Sequence, residues 1–309
     1  MQKLIVIAGP TAVGKSAVAL ALAQKINAEI ISADSVQVYR GLDIGSAKPT
    51  LTERQQIPHH LLDIKDPHEN YTVAEFQKDA AAAISDIAAR GKIPLLVGGT
   101  GLYIRALVWG FAFSESGINQ KLRQKLHAIA QKEGNQTLYQ RLLEVDPQTA
   151  KKIHPNDLRR IIRALEVYKQ NKLPISEQVR QTPQQPVYQT KQFVLTMQRE
   201  LLYKRIEKRV DKMIADGFVR EVQRLLARGV PPDAKAMQSL GYKQIVAYLL
   251  GQIPLTEAIE LIKRETRRFA KRQLTWFRRE KNNIWIEMDH LQAFEAAENI
   301  SAILAGNFQ

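Results

Sequence analysis

The segment Gly9-Pro-Thr-Ala-Val-Gly-Lys15-Ser16 reads G-x-x-x-x-G-K-S. It lies between a β-branched apolar run, Leu4 to Ala8, and an Ala/Leu-rich stretch, Ala17 to Ile26. Strand, glycine loop and helix are the context in which this motif holds a phosphate. Successive backbone N–H groups and the positive end of the helix face the anion. The candidate phosphate-binding residues are therefore Gly9, Pro10, Thr11, Ala12, Val13, Gly14, Lys15 and Ser16. Lys15 adds a mobile positive charge, and Ser16 is the candidate metal residue, its hydroxyl placed on Mg²⁺. The expected fold class is α/β, a P-loop NTPase-like parallel sheet flanked by helices. The loop does not say whose phosphate it holds.

Two further strand ends should converge on the same crevice, because ligands of open parallel sheets bind at the carboxyl ends of the strands. Ala28 to Ala33 reads as a buried strand ending at Asp34-Ser35-Val36-Gln37. Asp34 has three readings: a metal-side carboxylate, a general base for an incoming nucleophile, or a cap of the next turn. Gly41 to Pro49 is loop-like, with two glycines and a Lys48-Pro49 stop. His59-His60 suggests a metal at first sight, but adjacent residues on an extended chain point opposite ways, so structural hydrogen bonding is expected. Thr72 and Glu75 open a helix to Ala89 with Val73, Phe76, Ala80 and Ile84 as its apolar stripe, and Gly91 ends it. Ile93 to Val97 is a third strand, followed by Gly98-Gly99-Thr100-Gly101. Thr100 and the N–H groups around it should face the crevice.

The strand–helix alternation stops near Phe111. Residues 113–190 read as a helical insertion between two parts of the core, 1–112 and 191–309. The helix expected from Leu158 to Lys169 buries Leu158, Ile161, Ile162, Leu165 and Tyr168, and shows Arg159, Arg160 and Arg163 on its other side. After a strand at Phe193–Met197, one long helix is expected from Leu201 to Leu226, with a basic stripe of Arg205, Lys208, Arg209 and Lys212 that can reach a leaving pyrophosphate. Ser239 to Lys243 breaks one helix and starts another. Lys263 to Lys281 reads as a helix carrying nine basic residues, its only acidic companions in that stretch being Glu265 and Glu280. Ile262, Phe269, Leu274 and Phe277 should line its core side. Lys271, Arg272 and Trp276 should meet nucleic acid, the indole stacking on a base or ribose. Ile284 to Met288 is expected as a last strand and Leu291 to Ala305 as a closing helix.

Composition supports that reading. A net charge of +14 exceeds what a small-molecule kinase needs, whereas each contact to a nucleic-acid backbone neutralises a phosphate. The chain has no cysteine, which excludes disulfides, zinc thiolates and thiol catalysis. There is no apolar run long enough to span a bilayer and no signal peptide. A monomeric cytoplasmic protein is expected, with no membrane partner.

Several stretches together resemble the tRNA dimethylallyltransferase (isopentenyl-tRNA transferase) family. They are Gly9–Ser16, Ser32–Tyr39, Asp43–Pro49, Pro58–Asp63, Leu96–Thr100, His154–Asp157, Arg163–Glu166, Gly241-Tyr242 and Ala270–Trp276, and their order is kept along the chain. The Asp-Ser-x-Gln-x-Tyr and Lys-Arg-Gln-x-Thr-Trp elements are the specific ones. The resemblance implies that the loop holds the pyrophosphate of dimethylallyl diphosphate, with Mg²⁺ as cofactor. The acceptor would be the exocyclic amine of the adenosine 3′ to a tRNA anticodon. It implies Asp34 as general base, Thr100 at the reaction centre and Arg209 as a diphosphate ligand. It places tRNA contacts at Asp34, Ser35, Val36, Gln37, Thr100, Arg123 and Arg159-Arg160-Ile161-Ile162-Arg163. The insertion would grip the anticodon stem-loop.

Three rivals differ in donor or acceptor. A small-metabolite kinase would use the same loop and Asp34 with ATP, leaving the basic helices and the insertion unexplained. An RNA-binding NTPase switch would hydrolyse nucleotide on RNA binding. An adenylate isopentenyltransferase would prenylate a free nucleotide, which offers few phosphates for so much positive charge to neutralise.

Overall fold

The computed structural model describes residues 1–113, 117 and 119–307. Ser114, Glu115, Ser116 and Ile118, at the start of the expected insertion, lie outside the described residues. The chain divides into two compact units: residues 1–108 with 188–309, and residues 109–187. The observed boundaries fall slightly before the expected 113 and 190.

The first unit begins with β1 (Lys3–Ala8), α1 (Lys15–Ile26), β2 (Ala28–Ser32), α2 (Leu51–Gln56), β3 (His59–His60), α3 (Val73–Ala89), β4 (Ile93–Gly98) and α4 (Gly101–Val108). The second unit holds α5 (Gln120–Glu133), α6 (Asn135–Val145), α7 (Pro147–Ala150), α8 (Leu158–Asn171) and α9 (Ile175–Arg180). The chain then returns to the first unit with β5 (Gln189–Thr196), α10 (Arg199–Ala215), α11 (Phe218–Ala227), α12 (Tyr242–Leu249), α13 (Leu255–Phe277), β6 (Ile284–Glu287) and α14 (Ala293–Asn307).

The six strands form one parallel sheet in the order β3-β2-β4-β1-β5-β6. Strands covered on both faces need continuous apolar runs rather than alternation, and Leu4 to Ala8 is buried throughout. Alternate residues still serve different sides. Ile5, Ile7, Leu95, Val97, Phe193 and Leu195 join the core under α1, α10 and α14, while Leu4, Val6 and Leu96 point the other way, the side on which α3 buries Phe76, Ala80 and Ile84. Thr72 and Glu75 close the expected capping box on α3. His60 bonds Glu29 at 2.7 Å, and Arg90 and Lys92 complete that carboxylate's partners. Their hydrogen bonds, Arg90 first, hold Glu29 down at about 2. The histidine pair is structural, as expected, though the short edge strand it forms is not visible in the pattern.

Three expectations need correction. Leu201 to Leu226 is two helices, because Gly217 adopts φ 99° and breaks the run between α10 and α11. The residues before Gly241 are turns rather than a helix. The basic helix starts earlier and ends at Phe277, so Arg278, Arg279 and Lys281 lie beyond it.

The second unit has its own apolar centre, built from Leu126, Leu138, Leu142, Ile161, Ile162 and Leu165. It is entirely helical among the described residues. Inside it Glu166 is buried and bonded by Arg123, Arg163 and the Asn119 N–H. Burial alone would raise its pKa; these bonds outweigh burial and hold it below the usual carboxylate range.

Candidate active site

At the carboxyl ends of β1, β2 and β4 the first unit opens a cleft of about 540 Å³. Its floor is the Gly9–Ser16 loop. Gly9 takes φ 140°, and a Cβ there would lie 2.5 Å from the Leu195 carbonyl of neighbouring β5. The first glycine thus serves strand packing as well as phosphate approach. Gly14 (φ 108°) turns the chain into α1, whose first residues Lys15 and Ser16 line the cleft. Lys15 Nζ donates to the Pro10 carbonyl at 2.7 Å, folding the amine back over its own loop. Burial lowers its pKa to about 7; Arg209 pushes the same way and Asp34 opposes both. Arg209, from α10, also lines the cleft and is itself lowered by burial, with Asp34 pulling upward. One turn earlier, Arg205 points Nη1 at the Val13 carbonyl. The basic stripe of α10 therefore reaches the loop.

Asp34 follows β2, lines the same cleft and is close enough to Lys15 and Arg209 to favour their charged forms. Its Oδ1 accepts from the N–H groups of Val36 (2.8 Å) and Gln37 (3.3 Å). That is the turn-capping reading of Asp34. It coexists with the chemical ones, since one oxygen fixes the carboxylate's aim without consuming the group. Ser35, Val36, Gln37 and Thr100 also line the cleft. The Gln37 amide is committed within the protein: it accepts from Ser32 Oγ and donates to the carbonyls of Ser46 and Ala47.

The basic surface is more selective than the sequence suggests. On α13, Lys263 and Arg267 pair with Asp211 and Glu207 of α10, each at 2.7 Å. Their charge goes to packing two helices together. Lys271 and Arg272 remain exposed. Phe269, expected in the core, is 37% exposed and borders the cleft. Trp276, expected to stack on nucleic acid, is half-buried; its indole occupies the space a Cβ on Gly101 would take, 2.2 Å from Cδ1. One side of the ring packs on the β4–α4 turn. In the second unit Arg159 and Arg160 are exposed on α8, whereas Arg123 and Arg163 are drawn to Glu166. The side chains of Ile161 and Ile162 are inside that unit's core and present nothing to a partner.

Three residues that shape the cleft carry no expected role. Glu221 is buried and accepts from the N–H groups of Asp43, Ile44 and Gly45 and from the Tyr242 hydroxyl. Lys48 is buried between Asp43, Asp63 and the Tyr39 carbonyl. Gln273 bonds both the Thr11 N–H and the Gly99 carbonyl. Glu221 looks in sequence like any acid of an amphipathic helix. Lys48 and Gln273 lie inside two of the family-like stretches, Asp43–Pro49 and Ala270–Trp276, which was the available signal.

Among the described residues no group of three His, Cys, Asp or Glu side chains could hold a metal ion, and no helix is long and apolar enough to cross a membrane. Comparison with known proteins agrees with the geometry. A family model described as IPP transferase matches residues 37–280. The tRNA dimethylallyltransferase of Pelotomaculum thermopropionicum is 49% identical over 306 residues, covering 99% of this chain and 97% of the relative. That of Carboxydothermus hydrogenoformans is 54% identical over 289 residues, covering 93% and 92%. The full-length tRNA isopentenylpyrophosphate transferase of Bacillus halodurans superposes with a TM-score of 0.75 at 43% identity, covering 99% of this chain and 96% of that one. A eukaryotic dimethylallyltransferase acting on tRNA superposes with a TM-score of 0.84 at 31% identity, covering 100% of this chain and 79% of that one. With a phosphate loop facing a strand-end carboxylate, and relatives aligned along almost its whole length, the chain belongs to the IPP transferase family, the tRNA dimethylallyltransferases.

Proposed function

We propose that this protein transfers the dimethylallyl group of dimethylallyl diphosphate to the N6 amine of the adenosine 3′-adjacent to the anticodon of tRNA, releasing diphosphate. The observation that carries the reading is the shared cleft, lined by Lys15, Ser16, Arg209 and Asp34 together. An adenine amine is a weak nucleophile because its lone pair is delocalised into the ring. It gains strength as it loses a proton. Asp34, aimed by its turn, takes that proton as the new C–N bond forms, help worth about 10²–10⁴-fold. The allylic C–O bond breaks and its electron pair leaves on the diphosphate. Lys15, Arg209 and the loop N–H groups stabilise that charge. Thr100 borders the same space and orients the amine.

The donor set suits Mg²⁺. Ser16 offers an exposed hydroxyl at the start of α1, beside the loop that would hold the diphosphate. Mg²⁺ prefers one or two protein oxygens with substrate phosphates and water to an all-protein cage. When bound, the ion would neutralise diphosphate charge. RNA binding would fall to the exposed arginines of α8, with the insertion on the anticodon stem-loop, and to Lys271 and Arg272 of α13. The target base leaves a single-stranded loop to reach the cleft, at a cost of only a few kcal/mol. We assign the protein to the cytoplasm, acting as a monomer.

The test is transfer of labelled dimethylallyl diphosphate with Mg²⁺ to unmodified tRNA carrying that adenosine, with parallel reactions on AMP. Label in tRNA, none in AMP and no requirement for ATP is expected. Label in AMP alone, or ATP hydrolysis without transfer, would replace this reading.

A further inference from the structure

Gln273 is 7% exposed and lies 262 residues from its partner Thr11. Its Oε1 accepts from the Thr11 N–H of the phosphate loop at 2.9 Å. Its Nε2 donates to the Gly99 carbonyl, one residue before Thr100, also at 2.9 Å. The fit at Gly99 is close: a Cβ there would lie 2.2 Å from Nε2 and 3.2 Å from the Gly9 carbonyl. Thr11 belongs to the loop that receives the donor; Gly99 belongs to the turn that presents Thr100. One side-chain amide therefore joins the two halves of the site, and a helix from a third part of the sequence supplies it. Trp276, one turn on, packs against Gly101 of the same turn. The inward edge of α13 clamps the β4–α4 turn, while Lys271 and Arg272 face solvent.

We propose that Gln273 is a positioning residue, setting the distance between the diphosphate loop and the acceptor side of the site; this rests on the transferase reading above. An amide is the group required, because it must accept from one backbone and donate to the other. A carboxylate in its place would still accept from Thr11 but would oppose the Gly99 carbonyl with a second oxygen. Methionine of similar length would satisfy neither. A displacement of about 1 Å between reacting groups can cost about 10²-fold in rate.

The experiment compares wild type, Gln273→Glu and Gln273→Met for kcat and KM of transfer, for the Kd of inorganic pyrophosphate, and for the Kd of tRNA. Both variants should lose about 10²-fold in kcat, bind pyrophosphate more weakly, and keep tRNA affinity. A protonated carboxyl restores the amide's pattern, its C=O accepting from Thr11 and its O–H donating to Gly99. Gln273→Glu should therefore recover toward wild type by about tenfold as pH falls from about 8 to about 6, since burial next to a carbonyl raises a carboxyl's pKa. Lys15, Asp34, His59, Arg205 and Arg209 line the same cleft, so the recovery is read as a ratio to wild type at each pH, and Gln273→Met should show none. Three results would overturn the proposal. They are kcat within twofold of wild type in both variants, loss of tRNA affinity in step with kcat, or unfolding of both variants at assay temperature, which would make Gln273 a residue of the fold alone. Absence of transfer by wild type itself would instead reject the transferase reading.

Discussion

Asp34 is a short side chain that its turn holds by one of its two oxygens. Oδ1 is held by the N–H groups of Val36 and Gln37, so the carboxylate has a fixed direction before any substrate arrives. Replacing it with Asn keeps an oxygen for the turn and removes the proposed base. Asp34→Asn should therefore fold normally, bind tRNA within about twofold of wild type, and lose at least about 10²-fold in kcat. Weakened tRNA binding with intact turnover at saturation would make Asp34 a binding residue instead. Lys15 gives a second residue-scale prediction. With its pKa near 7 in the empty cleft, the amine is mostly neutral at pH 8, and an arriving diphosphate pulls it back to the charged form. Donor binding at pH 8 should take up about one proton, measurable by calorimetry in buffers of different ionisation enthalpy, and Lys15→Met should abolish the uptake. The same shift acts on folding. Between about pH 7 and the unfolded value of 10.5 the unfolded chain holds the extra proton, so stability rises with pH across that window, and the burden of a buried cation is present in full below it.

At the scale of elements, the loop from Gly41 to Pro49 has no regular structure, yet it is tied at every turn. Glu221 gathers three of its N–H groups, Lys48 bonds back to Tyr39, and Gln37 holds the carbonyls of Ser46 and Ala47. Glu221→Gln should cost about 1–3 kcal/mol, because an NH₂ group would face backbone donors in a buried place, and chemical denaturation would show it. Unchanged stability would mean the loop finds other partners. This element also shows what the sequence conveys. The phosphate loop, Asp34 and Thr100 were legible because each follows an apolar run that can only be a buried strand, and strand ends in a parallel sheet share one edge. The roles of Glu221, Lys48 and Gln273 were not, because each depends on a partner distant in the chain or on a loop without periodicity. Charge was only partly legible for the same reason. Lys263 and Arg267 are two more cations of a basic stretch on a helix read alone, and their pairing with Asp211 and Glu207 of α10 appears only in the fold. The single long helix expected over Leu201–Leu226 failed at Gly217, where one positive φ outweighs a continuous amphipathic pattern.

The whole molecule is two units with separate apolar centres. Damage to one should therefore leave the other folded. Leu142, fully buried in the second unit, is a suitable probe: Leu142→Ala should destabilise that unit by about 2–5 kcal/mol. It should lower tRNA affinity while leaving pyrophosphate binding unchanged, and hydrogen exchange should localise the loss to residues 109–187. Equal loosening of the sheet would show that the two units fold as one.

The position of β1 in the sheet carries a consequence for synthesis. Its neighbours are β4 and β5, which begin at Ile93 and Gln189, and its loop is held by Gln273. The phosphate loop is thus made before β4, β5 and α13, and its surroundings are complete only when all three have joined it. Contacts so distant in sequence form slowly, and a nascent chain folds only what has already emerged. Until α13 has left the exit tunnel, the loop lacks the amide that joins it to the turn bearing Thr100. A growing chain would remain without a finished cleft until α13 has been made and docked, so binding at the cleft would begin only after that helix is in place.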